Sequence, residues 1–238
     1  MNVAAFKIII FAAASAGLLA GLLLTAVQHV QIVPLILDAE GYEQAVEAAN
    51  RTSSTHPAHA SAEHNHEHGH GAWQPERGWE RNLLTASANI VIALGFALLL
   101  GAAAALRNHT LNWRSGLLWG LGGYLAFFVA PSLGLPPELP GSVAADLAHR
   151  QLWWVATSAF TAAGLAFVVF SAQRALKILG VILVIAPHLA GAPQPDVHGG
   201  TAPAELVQSF IVATIIINAM FWLALGGLFG FFHQRLAD

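Results

Sequence analysis

Long apolar runs constrain this chain more than any other feature of its sequence. Five runs carry at most one charged residue each, and they cover residues 3–33, 83–106, 113–130, 152–170 and 206–232. Pro131 is predicted to end the third run. A helix crosses a bilayer with about 20 mostly apolar residues, so each run is long enough to span. Charged residues make up 10% of the chain, against roughly 25% in soluble domains. We therefore expect an all-α, polytopic transmembrane helix bundle, with residues 1–238 forming one integral membrane domain.

The first run could instead be a secretory signal peptide. A signal peptide has a short apolar core followed by a cleavage site of small residues. Here the apolar run is longer, and the residues near its end, Gln28 to Gln31, make a poor cleavage site. We expect residues 3–33 to remain as a membrane helix.

A sixth, shorter apolar segment covers residues 177–190 and contains Pro187 and His188. As a helix it would cover only about 20 Å of a hydrocarbon core that is roughly 30 Å thick. It could cross as a short span, re-enter on the same side, or lie at the membrane interface.

The distribution of charge favours six spans over five. With six spans and a cytoplasmic N-terminus, the inside segments hold six basic residues and one acid, and the outside segments hold four basic residues and twelve acids. Cytoplasmic loops of membrane proteins are enriched in Lys and Arg. If residues 177–190 did not span, Arg235 would move outside and the loop 191–205, which lacks Lys and Arg, would move inside. We predict six spans with both termini cytoplasmic, and five spans remain the alternative.

Small and polar residues at helical spacing indicate where the helices contact one another. Three glycine pairs could allow close backbone approach, although glycine is also common in spans generally; they are Gly17 with Gly21, Gly116 with Gly120, and Gly226 with Gly230. Three polar pairs share the same spacing: Thr85 with Asn89, Thr157 with Thr161, and Thr214 with Asn218. We expect the threonines to bond to neighbouring helices or to their own backbone. Asn89 and Asn218 could line a polar path, since a buried amide needs several partners.

The first outside loop, residues 34–82, divides into a short polar helix at 38–50 and a His-rich segment at 51–71. The low complexity of that segment predicts a disordered periplasmic loop. Six histidines fall within fifteen of its residues: His56, His59, His64, His66, His68 and His70. Imidazole is the commonest metal-binding side chain, so we expect this loop to capture a divalent ion, with an inert linker as the alternative. Such a loop does not distinguish Co²⁺ from Ni²⁺, Zn²⁺ or Cu²⁺.

Two candidate metal ligands lie in the Pro-rich loop before the fourth span. Glu138 follows a pair of prolines that stiffen the turn, so its carboxylate is a candidate hard ligand. Asp146, His149 and Arg150 share one helix face. We expect Asp146 to cap the helix and to pair with Arg150, with a metal-binding role for Asp146 as the alternative. His149 is the second candidate ligand.

His188 is the third candidate outside the His-rich loop. It follows Pro187 at a predicted break in the short segment 177–190, which is the fifth of the six predicted spans in chain order. Broken helices expose carbonyl oxygens that coordinate cations. His188 is thus a candidate ligand along an ion path, with a packing role as the alternative.

Other function classes find little support. A net charge of -3 argues against nucleic-acid binding, and without cysteine there is no thiolate metal site. No nucleophile–base pair is present, and the H-E-x-x-H match at 66–70 falls in the low-complexity His-rich segment, where no helix is predicted. We therefore expect no enzyme activity and no resident cofactor.

Several specific stretches occur together in this chain. They are PSLGLPPELPG at 131–141, RQLWW at 150–154, TAAGL at 161–165, APHLAGAP at 186–193 and PAEL at 203–206. In this combination the chain resembles the CbtA family, predicted cobalt transporter subunits of bacteria. The resemblance implies a multi-pass subunit of the inner membrane for cobalt uptake linked to cobalamin synthesis. It also implies a small, one-span, His-containing partner subunit, CbtB.

Two functional hypotheses follow. In the first, the chain is a subunit of a divalent-metal permease, in which the His-rich loop gathers metal and passes it to Glu138, His149 and His188, and the ion then moves past Asn89 and Asn218. Cobalt is the expected ion, with nickel or zinc as alternatives. In the second, the chain is a membrane protein that buffers or senses periplasmic metal without transporting it.

Overall fold

The computed structural model describes residues 3–53, 78–107, 110–197 and 199–238. Within these ranges the chain forms seven helices and no β-strand beyond one isolated bridge. The helices are α1 (Val3–Gln31), α2 (Val33–Ser53), α3 (Trp79–Leu106), α4 (Trp113–Gly134), α5 (Leu147–Phe170), α6 (Arg174–Ala190) and α7 (Ala204–Ala237). The prediction of an all-helical fold is confirmed.

Five of these helices are long and apolar enough to cross a membrane, namely α1, α3, α4, α5 and α7. Their outward faces carry large apolar side chains that would be costly in water but suit lipid: Val91, Leu118 and Leu152 are 67%, 70% and 70% exposed. Helix α6 has 17 residues, which gives a length of about 25 Å. The structure therefore supports a multi-pass membrane protein with five helices of full spanning length and one shorter helix.

Helix α4 contains an irregular turn where the sequence predicts the end of a span. Residues Leu125–Val129 form a π-helical turn, in which the N–H of Ala130 donates to the carbonyl of Leu125. This π turn places Pro131 in the first turn of a new α-helical segment, where its missing N–H leaves no bond unmade. The prediction that Pro131 ends the helix is therefore wrong, and α4 continues to Gly134.

Glycines form the tightest contacts of the bundle, as their spacing predicts. On α1, Gly17 and Gly21 lie against the backbone of α3 at Leu94 and Ile90. The glycine pair of α4 meets the glycine pair of α7, with Gly116 and Gly120 both in contact with Gly226. The interpretation of these pairs as helix contact faces is confirmed.

Contacts along α4 fix the directions of its neighbours. Trp119 stacks on Phe170 with ring centroids 5.6 Å apart, and Gly134 lies against Trp153, so α5 runs antiparallel to α4. The hydroxyl of Tyr124 donates to the carbonyl of Ile215 at 3.1 Å. Because Gly116 contacts α7 later in its sequence than Tyr124 does, α7 also runs antiparallel to α4. Helices α5 and α7 therefore point in the same direction.

The start of α1 and the end of α7 lie at the same end of the bundle. Gly101 of α3 contacts Ile9 near the start of α1 and Phe229 near the end of α7. We call this the terminal end. The opposite end, which carries α2 and the loops 135–146 and 191–203, is the loop end.

Helix α6 lies alongside α5 in the antiparallel direction. Gly180 contacts Gly164, and His188 contacts Trp153 closer to the loop end. The helix passes through Pro187 and ends at Ala190. The predicted break at Pro187 is therefore wrong, although proline removes the N–H that would otherwise bond to the carbonyl four residues earlier.

Candidate metal-binding positions at the loop end

The two loops that follow α4 and α6 are joined to each other. Ser142 and Gly200 form an antiparallel bridge, and the N–H of Val143 donates to the carbonyl of Gly199 at 3.0 Å. The side-chain amide of Gln194 donates to the carbonyl of Gly134 at 3.4 Å. These bonds hold the loop end of α4, α5 and α6 together and place Glu138, His149 and His188 on one side of the bundle.

Glu138 forms an ion pair with Arg150. The carboxylate accepts a hydrogen bond from the guanidinium at 2.6 Å, and the two side chains are 31% and 25% exposed. Asp146 instead caps α5, where its carboxylate accepts from the N–H of His149 at 3.0 Å. The predicted cap is confirmed, whereas the predicted pairing of Asp146 with Arg150 is wrong because the loop folds Glu138 onto the same guanidinium.

His149 is the most accessible of the three candidate ligands. Its side chain is 76% exposed, and its Nδ1 lies 3.5 Å from the carboxylate of Asp146. An imidazole and a carboxylate this close present a nitrogen and an oxygen donor at the start of α5. Two donors alone bind a divalent ion weakly, since protein sites of this kind use several ligands.

His188 occupies a more enclosed position. Its ring meets the edge of the Trp153 indole with centroids 6.0 Å apart, and the residue is half-buried. It therefore lies between the exposed loop end and the buried contact of α5 with α6. The structure is compatible with the packing role as well as with a ligand role.

Among the described residues, no three His, Asp or Glu side chains converge to hold a metal ion. Glu138, His149 and His188 thus share one end of the bundle without forming a single site. The six histidines predicted to capture metal lie outside the described residues: His56, His59, His64, His66, His68 and His70.

The loop end also has a second acidic position, which the sequence does not predict. An open groove of about 540 Å³ between α2 and α7 is lined by Asp38 and Glu205 together with Tyr42 and Ser209. These carboxylates are far apart in sequence, so no spacing pattern could pair them. The only available signal was that each carboxylate lies next to an apolar helix end.

The two amides predicted to line a path have partners within the bundle. Asn89 donates to Thr25 at 3.1 Å and to Gln28 at 2.7 Å, which links α3 to α1. Asn218 donates to the carbonyl of Thr214 in its own helix at 3.0 Å. Asn89 therefore links two helices, whereas the amide of Asn218 bonds within its own helix.

Comparison with known proteins places the chain in a family. A family model described as "Probable cobalt transporter subunit (CbtA)" matches residues 6–234, nearly the whole chain. No curated protein and no solved structure matches the chain. The family consists of transporter subunits and not of enzymes, which agrees with the apolar helices of the bundle. The resemblance seen in the sequence is thereby confirmed, and the chain belongs to the CbtA family of probable cobalt transporter subunits.

Proposed function

We propose that this chain is the membrane subunit of a divalent-metal uptake transporter whose cargo is cobalt destined for cobalamin synthesis. The observation that carries the proposal is the family match over residues 6–234 on a bundle of membrane-spanning helices. The metal is cargo here, so the protein needs ligands that release it as well as bind it.

The proposed topology has six spans. Its support is the direction of the helices: α5 and α7 both run antiparallel to α4. If α5 and α7 both cross the membrane in the same direction, the chain between them has to cross back. Helix α6 lies alongside α5 from Gly180 to His188 and makes this return.

The terminal end is proposed to face the cytoplasm and the loop end the periplasm, in the inner membrane of a bacterium. The supporting observation is charge. The terminal end carries Lys7, Arg107, Arg114, Arg174 and Arg235, and basic residues favour the cytoplasmic side. The loop end carries most of the acids, including Glu138, Asp146 and Glu205.

The proposed route begins at the His-rich segment 51–71, which raises the metal concentration at the periplasmic face. From there metal passes to Glu138, His149 and His188. The order is supported by their exposure, since His149 is open to solvent while His188 is half-buried beside Trp153. The chain is further proposed to act with a small one-span, His-containing subunit like CbtB.

Cobalt-57 uptake tests this function in cells that lack other cobalt importers and contain the partner subunit. One variant replaces the six loop histidines with Gln, which preserves the length and charge of the loop. For a permease we expect uptake by this variant to match that of the unaltered chain at high cobalt and to fall only at low cobalt. Equal cobalt uptake with and without the unaltered chain would contradict the proposal, and loss of all cobalt binding in the variant would then identify a buffer.

A further inference from the structure

Helix α5 carries a line of buried polar groups that have no partner. Thr157, Ser158 and Thr161 are 0%, 2% and 3% exposed, and their hydroxyls make no hydrogen bond within the described residues. The indole N–H of Trp153, one turn closer to the loop end, is buried and unpartnered in the same way. The expectation that the paired threonines bond to neighbours or to their own backbone is therefore wrong for Thr157, Thr161 and Thr214, and it is confirmed for Thr85.

This arrangement differs from that of several other hydroxyls in the bundle, although the hydroxyl of Thr214 on α7 is also buried and unpartnered. Thr25, Thr85 and Ser209 each donate to the carbonyl four residues earlier in their own helix, at 2.8, 2.9 and 2.8 Å. The three hydroxyls of α5 do not form that bond, although they lie in a regular helix. A buried hydroxyl without a partner destabilises a fold, and such groups are rare in native proteins. A cluster of three such hydroxyls on one helix favours the binding of water or an ion among them.

The position of the line follows from the contacts at its two ends. Trp153 meets His188 of α6, and Gly164 meets Gly180 of the same helix. Thr157 and Thr161 lie between these contacts, four and eight residues after Trp153, and therefore face α6. The line begins beside the half-buried His188 and runs along α5 in the direction of the terminal end, as far as the middle of the helix.

Ser158 extends the line toward α4. It follows Trp154 by four residues, and Trp154 contacts Phe127 of the π turn with ring centroids 6.3 Å apart. The polar groups of α5 thus lie between the π turn and α6. Both neighbours have an interrupted α-helical bonding pattern, at the π turn and at Pro187, and π turns are frequent at functional sites.

We propose that Thr157, Ser158 and Thr161 bind the cation and its remaining water inside the membrane, as the step that follows His188. A hydroxyl both donates and accepts, so it can coordinate a cation through oxygen or bond to the water that the cation retains. Neutral oxygens bind weakly enough to let the ion leave, which conduction requires. The inference rests on the proposed function and assigns the inner path to α5 in place of Asn89 and Asn218, whose amides already have partners.

The absence of cysteine from the chain provides a direct test. Ser158→Cys and Thr161→Cys each introduce a single thiol into the full-length protein. A positively charged, water-soluble methanethiosulfonate reacts with the thiolate, which forms only where water reaches it. Ala159→Cys is the matched control, because Ala159 lies at the same depth on the exposed face of α5.

We expect the first two cysteines to be labelled at least about tenfold faster than the control, because burial in hydrocarbon suppresses the thiolate. We also expect added Co²⁺ to slow their labelling and to leave the control unchanged. Labelling at the rate of the control would overturn the proposal, and so would rapid labelling that Co²⁺ does not slow. The readout is the mass of the labelled protein and not cobalt uptake. Labelling can therefore contradict the hydroxyl site while cobalt uptake persists, and cobalt uptake can fail while labelling still supports the site.

Discussion

His188 lies between the exposed loop end and the buried hydroxyls of α5. Its ring contacts Trp153, so removal of the side chain would change both packing and chemistry. Two substitutions separate these effects. Phenylalanine preserves an aromatic ring against the indole but has no nitrogen for a metal, whereas alanine removes both.

We expect His188→Phe and His188→Ala to lower cobalt uptake to a similar extent, because neither side chain has a ring nitrogen that can coordinate the ion. Loss of one ligand corresponds to about a tenfold or greater loss of metal affinity. Uptake is measured at limiting cobalt, with membrane abundance checked by immunoblot. Normal uptake by the Phe variant together with impaired uptake by the Ala variant would show that His188 acts only in packing.

Residue-level predictions succeeded where the interaction is local in sequence. Asp146 caps α5 as its position before the helix predicts. Arg150 pairs instead with Glu138, twelve residues earlier, because a folded loop brings the two together. The sequence also does not predict that the hydroxyls of Thr157 and Thr161 lack partners. The spacing of two threonines does not show whether each hydroxyl bonds to its own helix.

At the scale of helices, Gly120 and Gly122 of α4 form a matched pair for testing close packing. A methyl group on Gly120 would overlap the carbonyl oxygen of Trp222 on α7, whereas one on Gly122 would meet nothing within 4 Å. We expect Gly120→Ala to destabilise the bundle by about 1–3 kcal/mol, as overpacking does.

Gly122→Ala should leave stability unchanged or raise it by up to about 1 kcal/mol, because alanine favours the helix. Thermal unfolding in detergent measures both variants against the unaltered chain. If both variants unfold at the same temperature, α4 and α7 do not approach as closely as the structure shows.

Apolar length and glycine spacing predicted the five long helices and three of their contact faces. Helix ends are harder to predict, because proline predicts a helix end at Pro131 and a break at Pro187. In the structure a π turn accommodates Pro131, and α6 continues through Pro187 for another turn. Neither adjustment leaves a signal in residue spacing, since both depend on the packing of neighbouring helices.

For the whole molecule, the six-span topology predicts that α6 separates two loops on opposite sides of the membrane. Alkaline phosphatase, which is active only outside the cytoplasm, can be fused after Gln173 or after Asp196. We expect an inactive enzyme at the first position and an active one at the second. Equal activity at both positions would mean that α6 does not cross, and the five-span alternative would then replace six.

We propose that the chain carries cobalt across the membrane. The most direct measurement compares accumulation of Co²⁺, Ni²⁺ and Zn²⁺ inside cells that lack their own importers, with and without the chain and its partner subunit. We expect the chain to raise internal Co²⁺ several-fold, well above any rise in Ni²⁺ or Zn²⁺. Internal Co²⁺ that is the same with and without the chain, while metal binds at the cell surface, would contradict it.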